Sequence, residues 1–163
     1  MSDGRTQAAL LARHLHAALE AAGSTLSVAE SLTGGQLAVA LAEAPGASKV
    51  FRGSVTAYAT DVKTLVLDVA ADLLDSRGPV DPEVARQMAQ GVRTLMRSTY
   101  ALATTGVAGP AAQDGHRPGI VYLAVAGPER TTSARLDVRG DREAVQRAAV
   151  LGALELLRDH LRP

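Results

Sequence analysis

The stretch "LSVAESLTGGQL", Leu26 to Leu37, decides how the rest of the chain reads. It opens as a buried strand and closes as a helix. Between the two stand Glu30, Ser31, Thr33, Gly34 and Gly35. A strand that runs through a short polar turn into a helix is the first half of a βαβ unit, and it predicts an α/β layered domain. In an open sheet of that kind, ligands bind outside the carboxyl ends of the parallel strands. The polar turn therefore reads as one wall of a site.

Working outward, "TQAALLARHLHAALEAAG" before the turn has helical apolar spacing and a glycine stop. After it, "GGQLAVALAEA" predicts a helix and "PGAS" a break. "SVTAYA", residues 54–59, predicts a second strand, and "DVKTLVLDV" turns helical at its start. A short helix follows in "AADLLDSRG". Asp81 and Pro82 mark the N-cap and first position of a longer helix whose apolar face carries Val84, Met88, Val92, Leu95 and Met96. "YALATTG" and "GIVYLAVAG" are strands, and "TTSARLDVR" alternates as an antiparallel partner. A last helix is capped by Asp141. The expectation is a three-layer α/β/α sandwich with a mixed, mostly parallel sheet of about five strands. It forms one domain over residues 1–163.

Composition narrows the function. Lys+Arg and Asp+Glu both number 17, and aromatics are 2%, so neither a basic surface nor a stacking platform for nucleic acid is expected. No cysteine is present, which removes thiol catalysis and Cys-ligated zinc. No histidine or carboxylate spacing of a metal motif occurs, so neither metal nor cofactor is expected. No apolar run reaches the ~18–20 residues of a membrane span, and the N-terminus lacks a signal-peptide core, so the reading is a cytoplasmic protein.

Three predicted strand ends supply candidate chemistry. The first is followed by Glu30, Ser31, Thr33, Gly34 and Gly35. The second ends near Tyr58, with Lys63 a short step on. Thr104, Thr105, Gly106 and Gly109 follow the third. Thr33-Gly34-Gly35 is expected to open the second helix, where free N–H groups favour an anion or an oxyanion. The alternative is an ordinary capped turn. Ser31 lacks a G-x-S-x-G elbow and needs a base. Of the histidines, His14 and His16 face different sides of a helix, His160 lies in the tail, and only His116 sits in a loop that could reach a site. Lys63 is the stronger candidate. The chain has fifteen Arg and two Lys, so lysine is not its ordinary solvated cation. A buried lysine can lose its proton, which arginine cannot. A Ser–Lys pair assisted by the Tyr58 hydroxyl is a workable nucleophile activator, whereas a solvated surface lysine is the commoner fate. Arg142, in the first turn of the last helix, either binds phosphate or is merely exposed.

Taken in order, "AESLTGG", "PGAS", "GSVTAY" with lysine five residues later, "GPVDPEVA", "TGVAGP", "PGIVYLAVAG" and "GDREAVQ" resemble the CinA C-terminal domain family, which includes nicotinamide-nucleotide amidases. The resemblance implies hydrolysis of the carboxamide of nicotinamide mononucleotide to nicotinate mononucleotide and ammonia. It implies Ser31 as nucleophile, with Tyr58, Lys63 and Thr105 assisting. From their places at the strand ends and on the last helix, Glu30, Thr33, Gly34, Gly35, Gly106, Gly109 and Arg142 are the expected substrate contacts, with N–H groups near Gly34 or Gly106 for the oxyanion. A homodimer is the family habit. Leu32 stands where cysteine is frequent, Pro79 where alanine is expected, and "HRPG" where "KPVG" is usual. Long members of the family carry an additional N-terminal domain. The rival expectation is a nucleotide-binding or regulatory module without turnover.

Overall fold

The structure, a computed structural model, describes residues 3–162. Five strands form one mixed sheet in the order β2-β1-β3-β4-β5. They are β1 (Leu26–Glu30), β2 (Phe51–Thr56), β3 (Tyr100–Gly106), β4 (Ile120–Ala126) and β5 (Thr131–Asp137). β1 pairs parallel with both β2 and β3, while β4 runs antiparallel to β3 and to β5. The central strand β1 is buried along its whole length, as a parallel strand covered on both faces must be.

The two faces of the sheet differ in side-chain size. Val28, Leu102, Val121, Leu123 and Val125 point to one side. There they pack against α1 (Asp3–Ala21), α2 (Gln36–Glu43) and α7 (Arg142–His160). Ala29, Ala101, Ala103, Ala124 and Ala126 point to the other. An alanine face lets a helix lie close, and α6 (Pro82–Met96) occupies it through Val84, Ala85, Met88 and Val92. α4 (Thr60–Leu67) crosses α6 at Gly91, where an added Cβ would lie 1.9 Å from the Leu67 carbonyl oxygen. Short helices α3 (Ala47–Val50) and α5 (Ala71–Arg77) complete the connections.

Three expectations need correction. The second strand runs 51–56 rather than 54–59. Tyr58 therefore lies in the β2–α4 connection, not on the strand. The expected break at 45–48 gives way from Ala47 to a helical turn, Ala47–Val50. Thr33-Gly34-Gly35 does not open α2, which begins at Gln36. Gly34 and Gly35 have φ of 58° and 99°, so glycine stands there because the backbone turns left-handed. Asp81 and Asp141 cap α6 and α7 as expected, accepting from Glu83 N and Ala144 N.

Candidate active site

Because β1 lies between β2 and β3, the segments leaving all three carboxyl ends meet. Ser31 follows β1, Lys63 lies on α4 after β2, and Thr105 and Gly106 end β3. They surround a cavity of about 310 Å³, within the ~300–1,000 Å³ range of small-molecule sites. Tyr58, Gly109 and Arg142 complete its rim.

Lys63 is 1% exposed, although it carries an amine. α4 places its Nζ 3.1 Å from Ser31 Oγ and 2.7 Å from the Ala57 carbonyl oxygen, and it donates to both. Burial lowers the Lys63 pKa from 10.5 to about 8, since a charged amine loses hydration that these two neutral acceptors replace only in part. Near neutrality a usable fraction of the amine is therefore free to take a proton. The Ser31 N–H donates to Thr104 O, and its carbonyl accepts from Gly34 N. The nucleophile candidate is thus pinned on a turn that the sheet itself anchors.

Tyr58 does not sit between serine and lysine, which touch each other directly. Tyr58 is 58% exposed and its hydroxyl accepts from the Arg142 guanidinium at 2.7 Å. Arg142 also donates to Gly109 O at 2.8 Å. It does not point idly into solvent from α7 but spans the cavity mouth. Thr105 Oγ1 donates to Pro79 O at 2.7 Å, which ties the end of β3 to the segment before α6. Gly106 lines the cavity, yet a Cβ there would lie 2.6 Å from Ile120 O, so its bareness serves the β3–β4 pairing.

Four expected substrate contacts lie elsewhere. Glu30 is fully buried and its carboxylate accepts from Gly35 N, Leu37 N and Ala38 N at 3.1, 3.0 and 2.9 Å. The helix start expected to receive a substrate anion is therefore filled by this side chain. The Gly34 N–H expected for the oxyanion is spent on Ser31 O. Thr33 is buried with its hydroxyl 2.8 Å from that of Thr104. Gly34 and Gly35 face a different hollow between α1, α2 and α7. His116 does not line the cavity but stacks edge-on with Tyr122. One residue escaped the sequence reading. Gln146 Nε2 donates to Leu32 O at 2.7 Å, holding the residue after Ser31. Its signal was its place four residues after Arg142, on the same face of one helix.

The lining residues include the cations Lys63 and Arg142 and no carboxylate. Such a site suits an anionic ligand. Among the described residues no cluster of three or more His, Cys, Asp or Glu could hold a metal ion. No described helix is long and apolar enough to cross a membrane.

The CinA C-terminal domain model matches residues 8–161. The chain belongs to the CinA C-terminal domain family. Among its relatives, a CinA-like protein of Frankia casuarinae is 46% identical over 135 residues, 83% of this chain and 31% of that protein. A CinA-like protein of Parasynechococcus marenigrum is 44% identical over 154 residues, 93% of this chain and 37% of its own. The chain thus spans between 31% and 37% of the length of these curated CinA-like relatives. Among solved structures, a CinA superfamily protein of Escherichia coli superimposes with TM-score 0.90 at 32% identity, covering 93% of this chain and 88% of that one. A competence/damage inducible protein of Agrobacterium tumefaciens gives TM-score 0.90 at 33% identity, covering 96% of both chains. The CinA C-terminal fold is therefore the frame on which the Ser31–Lys63 contact is built.

Proposed function

We propose that the chain is an amidohydrolase acting on the carboxamide of nicotinamide mononucleotide. The observation that carries this reading is the buried Lys63 amine in direct contact with the Ser31 hydroxyl, both lining a cationic cavity. The substrate identity comes from the family resemblance, and the charge of the cavity is compatible with a phosphate monoester.

In this mechanism the neutral Lys63 amine takes the Ser31 proton as Oγ attacks the amide carbon. The charge that develops on the carbonyl oxygen is held by backbone N–H groups on the Gly106 side of the cavity, a role worth about 10²–10³ in rate per donor. Lys63 then returns the proton to the departing nitrogen, the C–N bond breaks and ammonia leaves. Water attacks the acyl-serine as Lys63 takes one of its protons, the C–Oγ bond breaks, Lys63 returns that proton to Ser31 Oγ, and the acid product leaves as its carboxylate, giving up its own proton to solvent. Arg142 holds the phosphate at the mouth, and Tyr58 orients Arg142. Thr105 supports the cavity wall through Pro79.

The test is to incubate the purified protein with nicotinamide mononucleotide and assay ammonia together with nicotinate mononucleotide. Release of both in equal amounts, lost in Ser31→Ala, is expected. Saturable binding of the nucleotide without any ammonia would replace this reading with that of a non-catalytic binding module.

A further inference from the structure

We propose that Glu30 is a positioning residue for Ser31: its carboxylate is the fixed anion that clamps the 31–35 turn onto the start of α2. This rests on the serine role proposed above. A buried carboxylate is costly unless it is well bonded. Here both oxygens are used. Oε2 accepts from Gly35 N and Leu37 N, and Oε1 accepts from Ala38 N. The N–H groups belong to the turn and to the first residues of α2, where the helix dipole adds to the attraction. Glu30 is the last residue of β1, and its carbonyl accepts from Ala57 N. Ala57 is the residue whose own carbonyl holds the Lys63 amine. One residue thus fixes the serine turn by its side chain and the lysine's anchor by its backbone.

The chemistry of the clamp is specific to a carboxylate. An amide at this position offers one acceptor oxygen, so its NH2 must face either Ala38 N–H or the Gly35 and Leu37 pair. At least one donor is opposed by another donor in either orientation. Aspartate keeps both acceptors on a side chain one methylene shorter. The clamp has no need of shape alone, so a small free carboxylate should replace the side chain once it is removed.

The experiment uses Glu30→Ala and Glu30→Gln in the whole chain, with sodium formate as the probe and sodium chloride at equal ionic strength as control. Near-attack geometry lost by about 1 Å costs about 10²-fold in rate. Accordingly kcat should fall about 10–100-fold in both variants while KM stays within about twofold. Formate should raise the melting temperature of Glu30→Ala but not of wild type, and should restore part of its kcat. Wild-type kcat in either variant overturns the proposal. So does a formate-stabilised Glu30→Ala whose kcat does not recover, because the carboxylate is then structural only. Absence of any formate effect on melting also overturns it. Should Glu30→Ala fail to fold, the kcat and KM of Glu30→Gln decide. If wild type itself has no amidase activity, the melting arm still judges the clamp and the failure belongs to the proposed reaction.

Discussion

Lys63 and Lys49 are the only two lysines of the chain, and they have opposite surroundings. Lys49 is exposed and paired with Glu20, while Lys63 is buried with a hydroxyl and a carbonyl for company. Lys63→Arg should therefore fold but lose nearly all turnover, since a guanidinium does not give up its proton. Lys49→Arg should keep the wild-type rate, and the two variants measured side by side check the assignment. The amine also makes stability depend on pH. Its pKa is 10.5 when unfolded and about 8 when folded, so between these values the unfolded chain binds more protons. Stability should rise as pH climbs from about 8 to 10.5 and be lowest below about 8, where a charged amine is buried at a cost of about 3 kcal/mol. Denaturant melts of wild type and Lys63→Met across that window should diverge with this sign. The rate should rise with pH through the same group and level off well below 10.5. A profile still rising at pH 10 would assign the base elsewhere. Pro79 stands where the family resemblance leads one to expect alanine. Its contribution is a carbonyl oxygen for Thr105, which the alanine usual at this position would also supply.

At the scale of elements, the site is held by helices that the sequence leaves far apart. α4 presents Lys63 only because it lies tight on α6, and the tightness depends on Gly91. Gly91→Ala should push α4 outward, destabilise the protein by several kcal/mol as overpacking does, and lower turnover in the fraction that stays folded. A melting curve with an activity assay on the same sample would show whether both fall together. The first turn of α7 closes the opposite side through Arg142 and Gln146. Arg142→Ala should raise KM for the mononucleotide by tenfold or more. The unphosphorylated riboside should be handled equally by wild type and variant, and comparing the two substrates isolates the proposed phosphate contact. Local caps were readable because they depend on neighbouring residues: Asp81 before Pro82 and Asp141 before Arg142 both serve as expected. The role of Glu30 was not readable. Whether a carboxylate at a strand end meets a ligand or its own helix depends on where its side chain turns.

The whole molecule is one sheet with a core on each face. Both cores share the same strands, so the two faces are expected to unfold together. Leu154→Ala in one core and Met88→Ala in the other should each cost about 2–5 kcal/mol and shift a single unfolding transition rather than split it. Calorimetry against spectroscopic melting would check that the two enthalpies agree. The sequence by itself determined the alternation of strands and helices, the mixed sheet of five strands and the family, since hydrophobic period, capping residues and motif order are local properties. It also singled out Lys63 through residue chemistry and usage, and Ser31 through its place at the strand end and the family motif. Only the tertiary structure decided that β1 lies between β2 and β3, which brings serine and lysine to 3.1 Å across 32 positions of chain. It alone decided that Tyr58 meets Arg142, 84 positions away, instead of bridging the pair. It alone turned Glu30 from the cavity into the start of α2. Strand order and side-chain direction arise from long-range packing, and no local pattern of residues encodes them.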